Sequence, residues 1–506
     1  MKKILSHIQE IKKGKVIAFF VVFGLLIMHM YYNYSTIDLN YDFAWSLFTI
    51  FLVVLFFGML GLYLLFFVIK DIKIHVLVLV TILFIGYLYS IVIIPNGVPD
   101  EHLHYNIANQ KVYNLLGITE LDPLDQNDVV LVGNTINAYR NIYDNIHGNA
   151  PEVSRNMERA TAPAPNALYI FSGAGLLFGR ILNLSNVSAF YLGRFLNLLF
   201  FALCSYFGVK WIPFGKMALS SVCLFPMTIH LAASFSQDGV VLGLIILYIS
   251  KILQIKYEKN MMSVLDLILL LVVGTVFISS KGGTYLPLGF LLFIIPKEKY
   301  RDKRFRFIAY GTFIFVTTTY YVFQMLTTVR ENIGENIVVW SGTPSTTLGQ
   351  IISNPINSIS ILYHTIWISI DNWVNGIFGA SLGWFNINIR STVIIAFMVI
   401  FLLTLVNKED SLYIVKTKTK IFTLIIITLC FGMITLGMWL AWTPYDSILI
   451  EGIQGRYFLP FMLLIPVLAY NKNLIIKNTI ERQLLYSIVV LHYYSLFLII
   501  REQLQL

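Results

Sequence analysis

The run IHVLVLVTILFIGYLYSIVII (residues 74–94), followed at once by PNGVPDEHLH (95–104), decides how this chain is read. The first part holds no Asp, Glu, Lys or Arg and is long enough to cross a hydrocarbon core of about 30 Å, whereas a membrane strand needs only about ten residues. Since a spanning segment must satisfy its own backbone, the run predicts a helix. The second part places two carboxylates and two imidazoles where the apolar run stops. Ionisable groups there lose solvation unless they are wetted or paired, which makes them functional candidates.

Working outward, the same pattern repeats. The 506 residues are 57% hydrophobic and only 12% charged, with a mean hydropathy of +0.73, far from the balance of a soluble globular chain. The reading is an all-α polytopic membrane protein, a single integral membrane domain over residues 1–506. Spans are expected at Val16–Tyr32, Ala44–Ile69, Ile74–Ile94, Ser188–Val209, Met217–Ala233, Gly239–Leu253, Leu265–Ser280, Thr284–Pro296, Phe307–Phe323, Val393–Val406, Ile421–Leu440, Phe458–Tyr470 and Leu484–Ile500, about 13 transmembrane helices. The net charge of +9 sits in short clusters between apolar runs, as at cytoplasmic helix ends, so it sets topology and implies a lipid bilayer and no nucleic acid as partner. Cys204, Cys223 and Cys430 lie inside apolar runs, with neither disulfide nor zinc spacing.

Lys2, Lys3, Lys12, Lys13 and Lys15 before the first span, and Lys70 and Lys73 between the second and third, place the N-terminus in the cytoplasm and Asp100 outside. The first large extracytoplasmic loop then covers residues 95–187 and the second residues 326–390. Within them Asn166–Leu182, and the stretch around Ile359–Phe378 interrupted by Asp371 and Asn372, read as outer-face juxtamembrane or re-entrant helices. No internal repeat is visible.

On this map, polar clusters far apart in sequence meet at the outer face. Asp100 and Glu101 are candidates for a general base towards a hydroxyl, and His104 shares a helical face with Asp100; favourable acids at a helix start explain the same residues. Asp238, in Ser234-Phe-Ser-Gln-Asp238, suits a substrate hydroxyl or, with Asp100, a divalent cation, and equally a helix cap. Lys281, flanked by Ser280 and by Gly282 and Gly283, suits a phosphate or simply snorkels. Arg456, between Gln454 and Tyr457, offers a fork that matches phosphate at a helix start where the charge bias disfavours arginine. Trp384 suits stacking on a sugar or interfacial anchoring. Arg194 and Asn197 stand out on an apolar helix, and His230 reads as a satisfied interior histidine. A carboxylate with two phosphate-binding cations outside a membrane fits glycosyl transfer from a lipid-linked donor. No cofactor is identified; a divalent cation is compatible and not required.

The outer Asp-Glu followed by His, the stretch Pro163–Tyr169, Arg194-Phe-Leu-Asn197, the Ser-Phe-Ser-Gln-Asp turn, Gly383-Trp384 and Gln454-Gly-Arg-Tyr-Phe-Leu-Pro460 resemble a little-characterised bacterial family of multi-pass proteins. Its plan is similar to the GT-C superfamily of glycosyltransferases, and the matches run from about residue 95 to 465. The resemblance implies a GT-C-like bundle with a catalytic acid in the first large loop, carried over to Asp100 with Glu101 as rival. It also implies substrate contacts through His104, Asp238, Lys281, Gln454, Arg456, Tyr457, Trp384 and Arg194. A departure is the extra pair of helices before the Asp-Glu loop. The expected function is transfer of a hexose or pentose from a polyprenyl-phosphate-linked sugar to a hydroxyl of a cell-surface glycan acceptor or cell-wall polymer, at the outer face of a bacterial plasma membrane. Alternatives are a polysaccharide polymerase or ligase using lipid-diphosphate glycans, and a lipid-glycan transporter or flippase.

Overall fold

The computed structural model describes residues 20–21, 24–25, 28, 42–69, 71–116, 166–331, 337–338, 340–406, 413–471 and 480–505. Most of the first expected span, and the middle of the first large loop with Pro163–Pro165, lie outside the described residues. In chain order the helices are α1 (Asp42–Tyr63), α2 (Ile74–Val92), α3 (Glu101–Leu115), α4 (Ile170–Ile181), α5 (Asn186–Trp211), α6 (Lys216–Cys223), α7 (Pro226–Ala232), α8 (Gln237–Tyr257), α9 (Val264–Ile278), α10 (Leu286–Gly289) and α11 (Lys303–Glu331). The remainder are α12 (Leu348–Ser353), α13 (Pro355–Phe378), α14 (Ser391–Thr404), α15 (Thr417–Trp442), α16 (Leu459–Met462), α17 (Ile465–Ala469) and α18 (Glu481–Gln505). Two small antiparallel hairpins join them: β1 (Ile337–Val338) with β2 (Thr343–Pro344), and β3 (Ser381–Leu382) with β4 (Ile387–Asn388).

Six helices among the described residues are long and apolar enough to cross a membrane, at Thr49–Val68, Ile74–Val92, Asn186–Trp211, Gln237–Tyr257, Thr417–Trp442 and Glu481–Ile500; Ala167–Ile181, Val264–Ile278 and Ser391–Thr404 are shorter apolar helices. That supports an all-α polytopic chain with a smaller set of continuous spans than the thirteen expected. Three of the expected spans are broken. Met217–Ala233 is α6 followed by α7, Thr284–Pro296 is α10 followed by a 3-10 turn at Phe290–Ile294, and Phe458–Tyr470 is α16 followed by α17. Prolines 226, 287, 460 and 466 sit in the first turns of α7, α10, α16 and α17, where a missing N–H and a fixed φ start a helix but cannot continue one. Broken backbone at membrane depth survives only where protein groups re-satisfy it. Here Tyr248 Oη donates to Gly289 O at 2.6 Å, Lys256 Nζ to Ile294 O at 3.0 Å, and His492 Nε2 lies 2.6 Å from Leu224 O.

Helix α5 is the central post, with α2, α4 and α8 packed around it. Glycines set the α4–α5 distance: a Cβ on Gly175 would lie 2.5 Å from Gly193 Cα, and one on Gly179 would lie 2.5 Å from the Cβ of Ala189. Such small-residue seams let helix backbones close up where lipid gives no hydrophobic drive to associate. At 12 residues, α4 is about 18 Å long, short of a hydrocarbon core.

Helix α13 is amphipathic in an unusual sense. Ile356, Ile359, Tyr363, Trp367, Ile370 and Val374 recur every three or four residues and are all exposed, while Thr365 and Trp373 on the other side are buried and donate or accept inward: Thr365 Oγ1 accepts from Ile450 N–H at 2.9 Å and Trp373 Nε1 donates to Ile453 O at 3.1 Å. The apolar stripe faces away from the protein, as on a helix lying against lipid.

The two ends of the bundle differ in charge. At one end Arg482 donates to the carbonyls of Phe66, Ile69 and Ile72, Lys420 Nζ donates to Tyr470 O at 2.5 Å, and Lys299 Nζ donates to Glu258 O. The other end carries Asp100, Asp238, Lys281 and Arg456.

Candidate functional site

The site is built on one buried ion pair. Glu101 and Arg194 are both 0% exposed. Arg194 Nε donates to Glu101 Oε1 at 2.8 Å and Nη2 to Oε2 at 2.5 Å, while the remaining donors reach Ser90 O, Ile93 O and Ile94 O at 2.6, 2.5 and 3.0 Å. Those carbonyls close the C-terminal end of α2, which has no helical partner for them. Glu101 in turn accepts from the N–H of Asn96 at 3.0 Å and of Phe235 at 3.1 Å. Four elements meet there.

This geometry corrects two expectations. Glu101 was the rival base and Arg194 a substrate contact, but no lone pair of the first and no donor of the second remains for a substrate. Both are scaffold. Asn197 belongs with them, donating through Nδ2 to Ser234 O at 2.7 Å and Ser236 O at 3.3 Å, so α5 fixes the Ser234–Asp238 turn from below. Ser236 caps α8, its Oγ accepting from Asp238 N–H at 3.2 Å; the turn is thus both a helix cap and a platform for the Asp238 carboxylate.

Above the scaffold lies an open charged chain. Lys281 Nζ is 2.5 Å from Asp238 Oδ1, Arg456 Nε is 3.7 Å from Asp238 Oδ2, and Arg456 Nη2 is 3.9 Å from Asp100 Oδ2. The two arginine contacts are longer than hydrogen bonds, and the buried Nε donates to nothing. Burial opposes the Arg456 charge, yet Asp238, then Tyr457 and Asp100, hold its pKa above the ordinary arginine value. The Tyr457 ring lies under Lys281 Nζ at 4.4 Å, a cation–π contact. Asp100 is the exposed member, its side chain 52% accessible. Asp100 and Asp238 converge on Arg456, so a guanidinium lies between the two carboxylates that were also compatible with a shared divalent cation; among the described residues no group of three or more His, Cys, Asp or Glu side chains forms a metal donor set.

Backbone strain concentrates at the same end. Asp100, Lys281, Asn96 and Phe385 hold left-handed φ values of 61°, 46°, 62° and 63°, a conformation that non-glycine residues adopt at a cost and that clusters at functional sites. The Lys281 turn is clamped by neighbouring tyrosines, Tyr320 Oη donating to Ser279 O at 2.7 Å and Tyr321 Oη to Gly283 O at 2.9 Å. Gly283 has φ +83° and a Cβ there would strike Tyr321 Oη, so the glycine is required.

His104 sits one turn into α3 with Nδ1 2.7 Å from Tyr169 Oη. Burial pushes its pKa down to about 4 against the pull of Asp238 and Asp100, so the ring is neutral at physiological pH. Trp384, half exposed, donates Nε1 to Asn96 O at 3.0 Å and stacks on His102 at 6.3 Å.

Beside Arg456 opens a cavity of about 390 Å³, whose walls include Gln454, Asn372, Asn375 and His230. None of the last three was a site candidate from sequence. His230 was read as satisfied, but only its Nε2 is engaged, accepting from Gly383 N–H at 3.4 Å, while Nδ1 is buried without a partner. Of the ten candidates, Asp100, Asp238, Lys281, Arg456 and Tyr457 form one cluster, Gln454 faces the adjoining cavity, His104 and Trp384 border the cluster from α3 and the β3–β4 turn, and Glu101 and Arg194 lie beneath.

No curated protein and no solved structure matches the chain. A protein-family model described as "Predicted membrane protein (DUF2142)" matches residues 142–465, well over half of the sequence, and spans the α4–α5 hairpin, Asp238, Lys281 and Arg456. The chain therefore belongs to the family of predicted membrane proteins DUF2142.

Proposed function

We propose that this protein is a glycosyltransferase of GT-C-like plan, moving a sugar from a polyprenyl-phosphate donor to a hydroxyl of a cell-surface glycan at the outer face of a bacterial plasma membrane. The observation that carries the reading is the convergence of Asp100, Asp238, Lys281 and Arg456, from four separate stretches of chain, with Arg456 also lining a cavity of about 390 Å³. The acceptor oxygen attacks the anomeric carbon, the bond from that carbon to the phosphate oxygen breaks, and polyprenyl phosphate leaves. Asp100, exposed and held, among the described residues, by the long arm of Arg456, takes the acceptor proton. Asp238, held by two cations, serves instead to position Lys281 and Arg456, which neutralise the charge that develops on the leaving phosphate. The basic character of the opposite end supports the cytoplasmic side there.

The test compares the surface glycans of wild type, a deletion strain and Asp100→Asn. The deletion is expected to lose a sugar substituent, and Asp100→Asn, expressed at the normal level, to lower transfer by about 10²- to 10⁴-fold, the range general bases contribute. A wild-type glycan in Asp100→Asn removes Asp100 from the chemistry. Protein-dependent movement of a lipid-linked glycan with no new glycosidic bond would instead make the protein a transporter.

A further inference from the structure

We infer that the cavity beside Arg456 is a binding site for one uncharged sugar ring, selecting neutral hydroxylated sugars over amino sugars and uronic acids. At about 390 Å³ it lies at the small end of ligand pockets, which run from about 300 to 1,000 Å³. Its polar lining includes His230, Ser369, Asn372, Asn375 and Gln454, amides, a hydroxyl and an imidazole that both donate and accept, the complement a ring of hydroxyl groups requires, beside the donor-only guanidinium of Arg456. Trp373 and Phe385 supply aromatic wall, and Pro99 places the cavity next to Asp100.

Two observations point to an occupant. His230 is 2% exposed; Nε2 accepts from Gly383, which leaves the ring proton on Nδ1, and that buried donor has no partner. An orphaned buried donor costs about 1–3 kcal/mol, a cost that a ligand oxygen removes. The second is the orientation of α13. With its apolar stripe turned outward, the face that carries Ser369, Asn372 and Asn375 is turned inward, onto the cavity. Lipid accounts for the stripe; the amides of Asn372 and Asn375 on the opposite face stay accessible from the cavity.

The charge pattern sets the specificity. Among the described residues no carboxylate forms part of the cavity wall, so a sugar ammonium finds no partner within it; the one cation among those residues, Arg456, is shared between Asp238 and Asp100, so a sugar carboxylate must compete with two carboxylates already present. The inference rests on the transferase reading only for the claim that the bound sugar is the one transferred.

Saturation-transfer NMR on the full-length protein in detergent tests it, with methyl hexosides, methyl 6-deoxyhexosides and methyl pentosides against methyl glucosaminide and methyl glucuronide. At least one neutral glycoside is expected to bind, at least about tenfold more tightly than both charged ones. Asn372→Ala/Asn375→Ala, which removes two amide hydrogen-bonding groups, should weaken it by about tenfold or more, and Gln454→Ala, in the cavity wall, provides a second variant should the double substitution fail to fold. Absence of binding by every neutral glycoside, equal binding of the charged ones, or binding indifferent to both cavity variants overturns the inference. Glycoside binding with no glycan change in the deletion strain leaves the cavity site standing and overturns the transferase reading; glycan loss without glycoside binding does the reverse.

Discussion

Two ion-pair systems lie within one turn of each other in this protein, and they are built on opposite rules. The Glu101–Arg194 pair is sealed, at 0% exposure, with contacts of 2.5–2.8 Å and every remaining polar atom spent on backbone. The Asp100–Arg456–Asp238–Lys281 chain is loose at the arginine, at 3.7 and 3.9 Å, and ends in a carboxylate that is 52% exposed. Consecutive residues, Asp100 and Glu101, belong to different systems. A buried charge must have its partners before a ligand arrives, because leaving it unpaired costs several kcal/mol; a charge meant for a ligand must keep capacity unspent. Completeness of pairing, more than residue type, separates scaffold from site.

Breaking the sealed pair should have the largest effect. Arg194→Met strands the Glu101 carboxylate and uncaps α2, so about 3–5 kcal/mol of stability is expected to go, read as loss of monodisperse protein and a lowered melting transition in detergent. If Lys281→Gln costs as much, the distinction between the two systems fails. Arg456→Lys comes next: it keeps the charge but loses the fork, so transfer should fall by about 10- to 100-fold with the melting transition unchanged. The smallest effect is a pH slope. His104 titrates near 6.5 when unfolded and near 4 when folded, so between those values the unfolded chain binds the extra proton and stability rises with pH, reaching its plateau above 6.5. His104→Gln should flatten that part of the melting-versus-pH curve, and a curve identical to wild type would place His104 in a more open setting than the one described.

The sequence made the open system legible and hid the sealed one. Asp100, Lys281 and Arg456 each stand at the end of an apolar run, where a charge must be accounted for, and that is a one-dimensional signal. The partnership of Glu101 with Arg194 spans 93 positions and depends on α5 rising past the end of α2, which no local pattern encodes. His230 escaped because a histidine in an apolar run usually has both nitrogens satisfied, and only the packing of Gly383 reveals that one is not. The broken helices had a local signal in Pro226, Pro287, Pro460 and Pro466; reading hydropathy alone merged each pair of fragments into a single span.

The seam between α13 and the arginine segment carries its own consequence. A Cβ on Gly455 would lie 2.3 Å from Trp373 O and 2.8 Å from Gly376 Cα, and one on Gly376 would lie 3.2 Å from Gly455 Cα. Main chain rests on main chain there, with no side chain between to yield. Arg456 is thereby held to the lipid-facing helix by backbone rather than by any contact of its own. Gly455→Ala would preserve every charged and polar group at this end of the protein and still force the arginine segment and α13 to shift against each other, so the smallest side chain that can be added to this fold is also an instrument for setting the reach of its arginine.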